Sequence, residues 1–275
     1  MSVEDSPTTK PVQTGAGDGS SSERPKIRVE TLTKQFGRIV AVEDVSLDIQ
    51  PSEVFALVGD NGAGKSTLMN MLSGVHRPTK GEIYIDGQPV HFDNPSDARA
   101  TGIETVYQDL ALMDDLDIAT NIFMGQFPQT GIGPLQFIDW DETYERAEQI
   151  MMEKLGRNVD IKTEVEFLSG GQRQLVAIGR ALAFDPDVII LDEPTSALSV
   201  DATRLVQDTI DTLAEQGITI VIVSHNIESV LKHADRIGVL FQGQLVDIKY
   251  PAETNLEELN ELMTTGTLES GRLDD

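Results

Sequence analysis

The residues from Gly59 to Ser66 have the types and spacing of a phosphate-binding loop: glycine, four residues, glycine, lysine and a hydroxyl residue. In such a loop the backbone N–H groups turn toward a polyphosphate, and a helix that begins at Lys65 adds its positive end. We expect Lys65 to reach the β- and γ-phosphates and Ser66 to offer its hydroxyl to Mg²⁺. The apolar run from Val54 to Val58 directly before the loop predicts a buried strand, which favours this interpretation over an ordinary glycine-rich turn. The residues expected to surround the triphosphate are Gly59, Asn61, Gly62, Ala63, Gly64, Lys65, Ser66 and Thr67.

Two adjacent carboxylates follow a second apolar run. Val188 to Leu191 reads as a buried parallel strand that ends in Asp192 and Glu193. Asp192 is placed to hold Mg²⁺, and Glu193 is placed to orient or deprotonate an attacking water. Without the phosphate loop, two acidic residues after a strand would indicate a solvated turn. With it, they predict hydrolysis of a nucleoside triphosphate.

A second glycine-rich helix start lies far from the phosphate loop. Leu168 to Gln172 reads Leu-Ser-Gly-Gly-Gln, and a helical pattern continues to Arg180. Its first N–H groups offer a second set of donors for a γ-phosphate.

Together these stretches resemble the ATP-binding subunit of an ABC transporter, from Lys26 to about Gly266. Leu168 to Gln172 matches the signature motif of the family, Gly59 to Thr67 its Walker A motif, and Val188 to Glu193 its Walker B motif. The resemblance implies an α/β fold of the P-loop NTPase type: a RecA-like parallel-sheet core, an antiparallel β layer and an inserted helical subdomain. ATP and Mg²⁺ are the implied cofactors.

The resemblance also assigns roles to single residues. Gln108 matches the glutamine that contacts Mg²⁺ and couples to membrane domains, and His225 matches the histidine that steadies the γ-phosphate. Phe36 matches the aromatic residue that stacks on adenine, with Val42 packing beside it. Without the family pattern, His225 would read as a core histidine and Phe36 as a core aromatic. We assign no function to the residues that fit no motif, Trp140, His76, His91 and His233.

The signature motif implies a homodimer, because in this family it binds the ATP held by the Walker A loop of the partner subunit. The residues expected to make that contact are Ser169, Gly170, Gly171 and Gln172. One position departs from the family pattern: Ser199 stands where the loop after Walker B commonly ends in Asp. A hydroxyl there changes a hydrogen bond and keeps polar capacity.

Composition, patterning and the family resemblance together suggest three parts. We expect a disordered tail over residues 1–25, an ATP-binding domain over 26–266 with its helical subdomain over about 109–183, and a C-terminal tail over 267–275. The predicted elements include strands on either side of the phosphate loop, a helix over 140–155, a strand pair over 238–243 and 244–247, and a short acidic helix over 255–263.

The charge balance is extreme, with 46 acidic against 21 basic residues and a formal net charge of −25. Nucleic acid is therefore an unsuitable partner. One hypothesis is adaptation to a high-salt cytoplasm, in which self-repulsion is screened; an ordinary acidic protein is the alternative. No apolar run approaches the roughly 20 residues that span a bilayer, so we expect a peripheral protein at the cytoplasmic face of the membrane. There is no cysteine, which excludes disulfides and thiolate metal sites.

The cargo is suggested by a finer resemblance. The stretches 102–112, 119–125 and 256–263 are similar to the importers of ribose, xylose and fructose. The implied partners are transmembrane permease subunits and, indirectly, an extracytoplasmic sugar-binding protein. An amino-acid importer, an exporter and a soluble cassette ATPase that acts on ribosomes or DNA remain alternatives.

Overall fold

A computed structural model describes residues 24–132 and 135–268. The strands, in chain order, are β1 (Ile27–Phe36), β2 (Ile39–Ile49), β3 (Val54–Val58), β4 (Lys80–Ile85), β5 (Gln88–Val90), β6 (Ile103–Val106), β7 (Gln129–Ile132), β8 (Leu135–Ile138), β9 (Val188–Asp192), β10 (Thr219–Val223), β11 (Arg236–Phe241) and β12 (Gln244–Lys249). The helices are α1 (Lys65–Leu72), α2 (Pro95–Ala100), α3 (Ile118–Phe123), α4 (Trp140–Gln149), α5 (Gly170–Leu182), α6 (Val200–Glu215), α7 (Ile227–His233) and α8 (Leu256–Thr265).

The centre of the fold is a six-stranded sheet in the order β12-β11-β3-β10-β9-β6. All its neighbouring strands run parallel except β12 and β11, the first pair in that order, which is antiparallel. Every residue of β3 and β10 is buried, because helices cover both faces of a parallel sheet and its strands read as continuous apolar runs. The carboxyl ends of β3, β9 and β10 therefore meet at one edge, where ligands bind in such folds.

A separate antiparallel sheet has the order β2-β1-β4-β5 and packs its apolar face on the core. The predicted strands around Ile27, Val45 and Ile83 are three of its members. With the parallel core, this layer confirms the predicted fold class.

The region between β6 and β9 is mainly helical, as expected, and holds α3, α4 and α5. It also contains the short hairpin of β7 and β8, which the sequence analysis did not predict. The predicted helix over 140–155 is α-helical only to Gln149 and continues as a π-helical turn over Ile150–Lys154. One apolar cluster joins these helices to the sheet, so the helical region packs directly on the core.

The closing elements match their predictions: β11 and β12 form the strand pair, and α8 is the acidic helix. The expected N-terminal tail lies almost entirely outside the described residues, as does most of the C-terminal one. In the part of the chain that is described, none of the helices combines the length and the apolar character needed to cross a membrane.

Candidate functional site

The phosphate loop leaves the buried end of β3 and leads into α1 at Lys65. Gly62 and Gly64 have φ of 84° and 104°, a region that L side chains rarely adopt. A Cβ on Gly64 would lie 2.5 Å from the carbonyl oxygen of Ala41. Glycine is therefore required here both by conformation and by the close approach of β2.

The Lys65 ammonium lies inside this loop. Its Nζ donates hydrogen bonds to the carbonyl oxygens of Gly59, at 2.6 Å, and Asp60, at 3.1 Å. Burial lowers the pKa of Lys65, and the charges of Glu193, Asp60 and Asp192 oppose that shift. The loop thus holds a buried cation whose contacts are two backbone carbonyls, which an anionic ligand can replace.

Asp192 ends β9, directly beside Val223 at the end of β10. Burial raises the pKa of the Asp192 carboxyl, the charge of Glu193 raises it further, and Lys65 lowers it. The arrangement brings the carboxyl groups of Asp192 and Glu193 and the ammonium of Lys65 together at the carboxyl edge of the sheet.

Glu193 has φ of 49°, the left-handed region that is strained for a residue other than glycine. Its N–H donates to the carbonyl of Val223 at 2.9 Å, and its own carbonyl accepts from Ser196 N at 3.1 Å and Ser196 Oγ at 3.0 Å. These bonds hold the residue in its strained conformation and so fix the backbone position from which the Glu193 side chain extends.

His225 contacts that carboxylate. Its Nδ1 lies 2.8 Å from Oε1 of Glu193. The His225 side chain is 63% exposed, whereas that of Glu193 is 15% exposed. The pair places a mostly buried carboxylate beside a solvent-accessible imidazole.

A cavity of ≈ 250 Å³ is lined by most of the residues predicted to bind or hydrolyse ATP within their own chain. Its lining consists of Ala41, Asn61, Gly62, Gly64, Lys65, Ser66, Thr67, Gln108, Asp192, Glu193 and Val223. Among the residues predicted for this site within one chain, those that do not line it are Phe36, Val42, Gly59, Ala63 and His225, and the signature residues Ser169, Gly170, Gly171 and Gln172 also lie outside it. The structure thus brings the phosphate loop, Gln108 and both carboxylates together, although they are far apart in sequence.

Ala41 lines the cavity in the place expected for Val42. Val42 is fully buried in the core. Lys34 pairs with Val42 but Gln35 pairs with Val40, so Ala41 is an extra residue in β2. Such a bulge redirects side chains, and no signal in the sequence located it.

Phe36 ends β1 and is 43% exposed. Its ring centroid lies 5.2 Å from that of His76, with the planes at 74°, and Lys34 Nζ lies 5.0 Å from the Phe36 centroid. No role for His76 could be predicted from the sequence, because the contact joins residues that are distant along the chain.

The signature motif begins α5, away from the cavity lining. Ser169 caps the helix: its Oγ accepts from Gln172 N, and Gln172 Oε1 accepts from Ser169 N at 2.9 Å. A Cβ on Gly171 would lie 2.9 Å from Ala202 Cβ, and one on Gly170 would lie 3.0 Å from Leu198 Cδ2. Gly171 is therefore needed for the close packing of α5 against the start of α6, whereas a side chain at Gly170 would meet only the flexible end of Leu198.

Ser199, the departure from the family pattern, caps α6. Its Oγ accepts a hydrogen bond from Ala202 N at 3.4 Å. Ser and Asp are both preferred N-cap residues, so the serine retains at least this local role.

The segment after Gln108 is fastened to the signature helix. Arg180, on α5, donates to the carbonyls of Leu110 and Ala111, both at 3.3 Å, and to that of Asn121 at 3.0 Å. Burial lowers the pKa of Arg180. These bonds connect the Gln108 loop to the helix that Ser169 caps.

Comparison with known proteins gives a consistent picture. A family model described as "ABC transporter" matches residues 42–196. The chain is 43% identical to the xylose/arabinose import ATP-binding protein XylG of Sulfolobus acidocaldarius over 242 residues, which cover 88% of this chain and 95% of that protein. It is 41% identical to the ribose import ATP-binding protein RbsA 2 of Streptomyces avermitilis over 222 residues, 81% of this chain but 43% of the relative.

Among solved structures, the fold is similar to a dimeric ATP-binding cassette, MJ0796, in a post-hydrolysis state with ADP and Pi bound. The TM-score is 0.67 at 27% identity, covering 82% of this chain and 98% of that one.

Proposed function

The chain belongs to the ABC transporter family and is an ATP-hydrolysing cassette, and on that premise we propose that it powers the import of a monosaccharide through membrane-spanning partner subunits. The observation that carries the sugar assignment is the 43% identity to a xylose/arabinose import protein over 95% of that protein's length. A ribose import protein is similar at 41% identity, although this chain spans less than half of it.

Hydrolysis follows from the cavity. A triphosphate offers Lys65 anionic oxygens in place of the two loop carbonyls that it now contacts. Because Oε1 of Glu193 is held by His225, the second carboxylate oxygen is the one that can accept a proton from an attacking water. His225 orients Glu193, and its exposed ring can contact the γ-phosphate.

The residues present fit a magnesium ion. Ser66, Gln108 and Asp192 line one cavity and supply hydroxyl, amide and carboxylate oxygens, the hard ligands that Mg²⁺ prefers. Within the described residues, no cluster of three or more His, Asp or Glu could hold a metal alone. When bound, Mg²⁺ neutralises charge that develops on the phosphates.

We propose that the active form is a homodimer with two equivalent sites. Ser169, Gly170, Gly171 and Gln172 lie outside the cavity of their own chain, and the similar MJ0796 cassette is dimeric. The start of α5 would then supply N–H donors to the γ-phosphate in the partner subunit. ATP would hold the dimer together, and hydrolysis would release it.

The adenine base is assigned to the side of the cleft formed by β1 and β2. Phe36 keeps exposed ring surface for stacking. Ala41, which lines the cavity, takes the neighbouring contact that the sequence analysis gave to Val42.

To drive transport, formation and release of the ATP-bound dimer must be coupled to membrane subunits. We propose that a permease binds this chain at the cytoplasmic face of the membrane, near the Gln108 loop, and that an extracytoplasmic sugar-binding protein delivers the cargo. To test this, the tagged chain is purified from its native membrane in high salt, and the proteins that accompany it are identified. A multi-span permease with a sugar-binding protein supports the proposal; ribosomal or DNA-repair proteins without a permease contradict it.

The sandwich itself is tested with Glu193→Gln, which keeps the shape of the side chain but removes the base. We expect kcat to fall by about 10²–10⁴-fold and an ATP-bound dimer to accumulate on a sizing column. Glu145→Gln, on an exposed face of α4, is the matched control and should behave like the native chain. A Glu193→Gln protein that stays monomeric with ATP would rule the sandwich out.

The chain has 46 acidic and 21 basic residues, and this excess of acidic residues supports adaptation to a high-salt environment. At about 1 M salt the Debye length falls to about 3 Å and repulsion between surface charges is screened. We therefore expect the melting temperature to rise between about 0.1 and about 2 M KCl. An unchanged melting temperature would contradict this.

A further inference from the structure

Phe36 is contacted by the segment that follows α1. His76 packs edge-on against the Phe36 ring at 5.2 Å between centroids. Lys34, whose Nζ lies 5.0 Å from the same ring, also donates to the carbonyl of Arg77 at 2.7 Å. The ring is thus held by its neighbours while 43% of Phe36 stays exposed.

The same segment is fixed to the helix that starts at the phosphate loop. His76 N donates to the carbonyl of Asn70 in α1 at 2.8 Å, and Thr79 N donates to that of Thr33 in β1 at 2.7 Å. Gln35 N in turn donates to Thr79 Oγ1 at 3.0 Å. One continuous stretch of chain therefore connects Lys65, at the start of α1, to the ring that supports Phe36.

We propose that His76 is a positioning residue for the nucleotide base. It holds the Phe36 ring at a fixed position relative to Lys65. The stretch from Lys65 to His76 then contacts the phosphates at its start and positions the base-stacking ring at its end. This inference rests on the proposed stacking of adenine on Phe36. Its physical basis is preorganisation: a ring already packed in place loses less freedom when a base stacks on it.

The test compares two ligands that share the phosphates but differ in the base. Binding of MgATP and of magnesium tripolyphosphate to the full chain is measured by titration calorimetry. We expect His76→Ala to weaken ATP about three- to tenfold and to leave tripolyphosphate within about twofold. His76→Phe keeps an aromatic edge and should restore ATP affinity. His91→Ala, an exposed histidine with no assigned role, is the control and should change neither ligand.

A double-mutant cycle separates this inference from the proposal beneath it. If His76 acts through Phe36, His76→Ala should cost nothing further in a Phe36→Ala background. A Phe36→Ala protein that binds ATP normally overturns the stacking assignment and the His76 inference together. A loss in Phe36→Ala with none in His76→Ala overturns the inference alone. Equal loss of ATP and tripolyphosphate in His76→Ala also overturns it, because the residue would then support the phosphate loop.

Discussion

The two glycine-rich helix starts of this chain look alike in sequence and differ in construction. Before α1, glycines adopt positive φ and the loop curls around a buried lysine. At the start of α5, Ser169 and Gln172 satisfy each other in a capping box, and Gly171 is needed because α6 lies against it. The first is a concave cradle within one chain; the second is an exposed helix end with no lysine of its own. A cradle can hold ATP alone, whereas the helix end can only complete a site built elsewhere.

Gly64→Ala should break the cradle and have the largest effect. A Cβ there would meet the Ala41 carbonyl at 2.5 Å in a conformation that alanine avoids. We expect ATP affinity to fall by about a hundredfold or more, measured by calorimetry on the full chain. Gly62→Ala carries a similar φ with no atom within 4 Å of the added Cβ, so its loss should be smaller. Native-like ATP binding by Gly64→Ala would contradict the role given to this glycine.

Gly171→Ala should break the helix end and spare the cradle. The added Cβ would lie 2.9 Å from Ala202 Cβ and 3.1 Å from its backbone, so α6 must move. We expect ATP affinity of the monomer within about twofold of native and an ATP-dependent dimer weakened about 5- to 100-fold, as judged by analytical ultracentrifugation in the Glu193→Gln background.

Gly179→Ala on the same helix is the matched control for that experiment. Its Cβ would lie 3.3 Å from the end of the Ile122 side chain, which requires a smaller shift than the 2.9 Å contact of Gly171 with Ala202. If Gly171→Ala lowers ATP binding by the monomer as much as it lowers dimerisation, the two helix starts are not separable in the way described.

Ser169→Ala should have the smallest effect of the three and acts on stability. Loss of an N-cap hydroxyl costs about 0.5–2 kcal/mol of the free energy of unfolding, and here Gln172 loses its partner too. Urea denaturation at fixed salt measures the change, and Ser169→Thr, which keeps a hydroxyl, should recover most of it. An unchanged free energy of unfolding in Ser169→Ala would show that the capping box is not stabilising.

The positions of both helix starts could be predicted from sequence, and so could β3, which leads into the first of them, and β9, which ends in the two carboxylates. A glycine, lysine and hydroxyl pattern after a buried apolar run has few structural solutions, as does an apolar run that ends in two carboxylates. The hairpin of β7 and β8 was missed because its strands are short and lie within a region dominated by helical spacing.

What the sequence could not supply is register and long-range contact. The bulge at Ala41 shifts β2 by one residue against β1, and Ala41 lines the cavity while Val42, the residue predicted from sequence, is buried. The contact between Phe36 and His76 depends on how α1 packs beneath the antiparallel sheet. Neither the bulge nor this contact produces a periodic pattern in the amino-acid sequence.

The hydrogen bonds from Arg180 to Leu110, Ala111 and Asn121 have a thermodynamic consequence. They join the loop after Gln108 to the helix that begins at Ser169. In the proposed function, docking of a permease on the loop and binding of ATP at the helix start would therefore be linked equilibria. Linkage of this kind is reciprocal. Whatever factor ATP adds to the affinity for a membrane subunit, that subunit must add to the affinity for ATP.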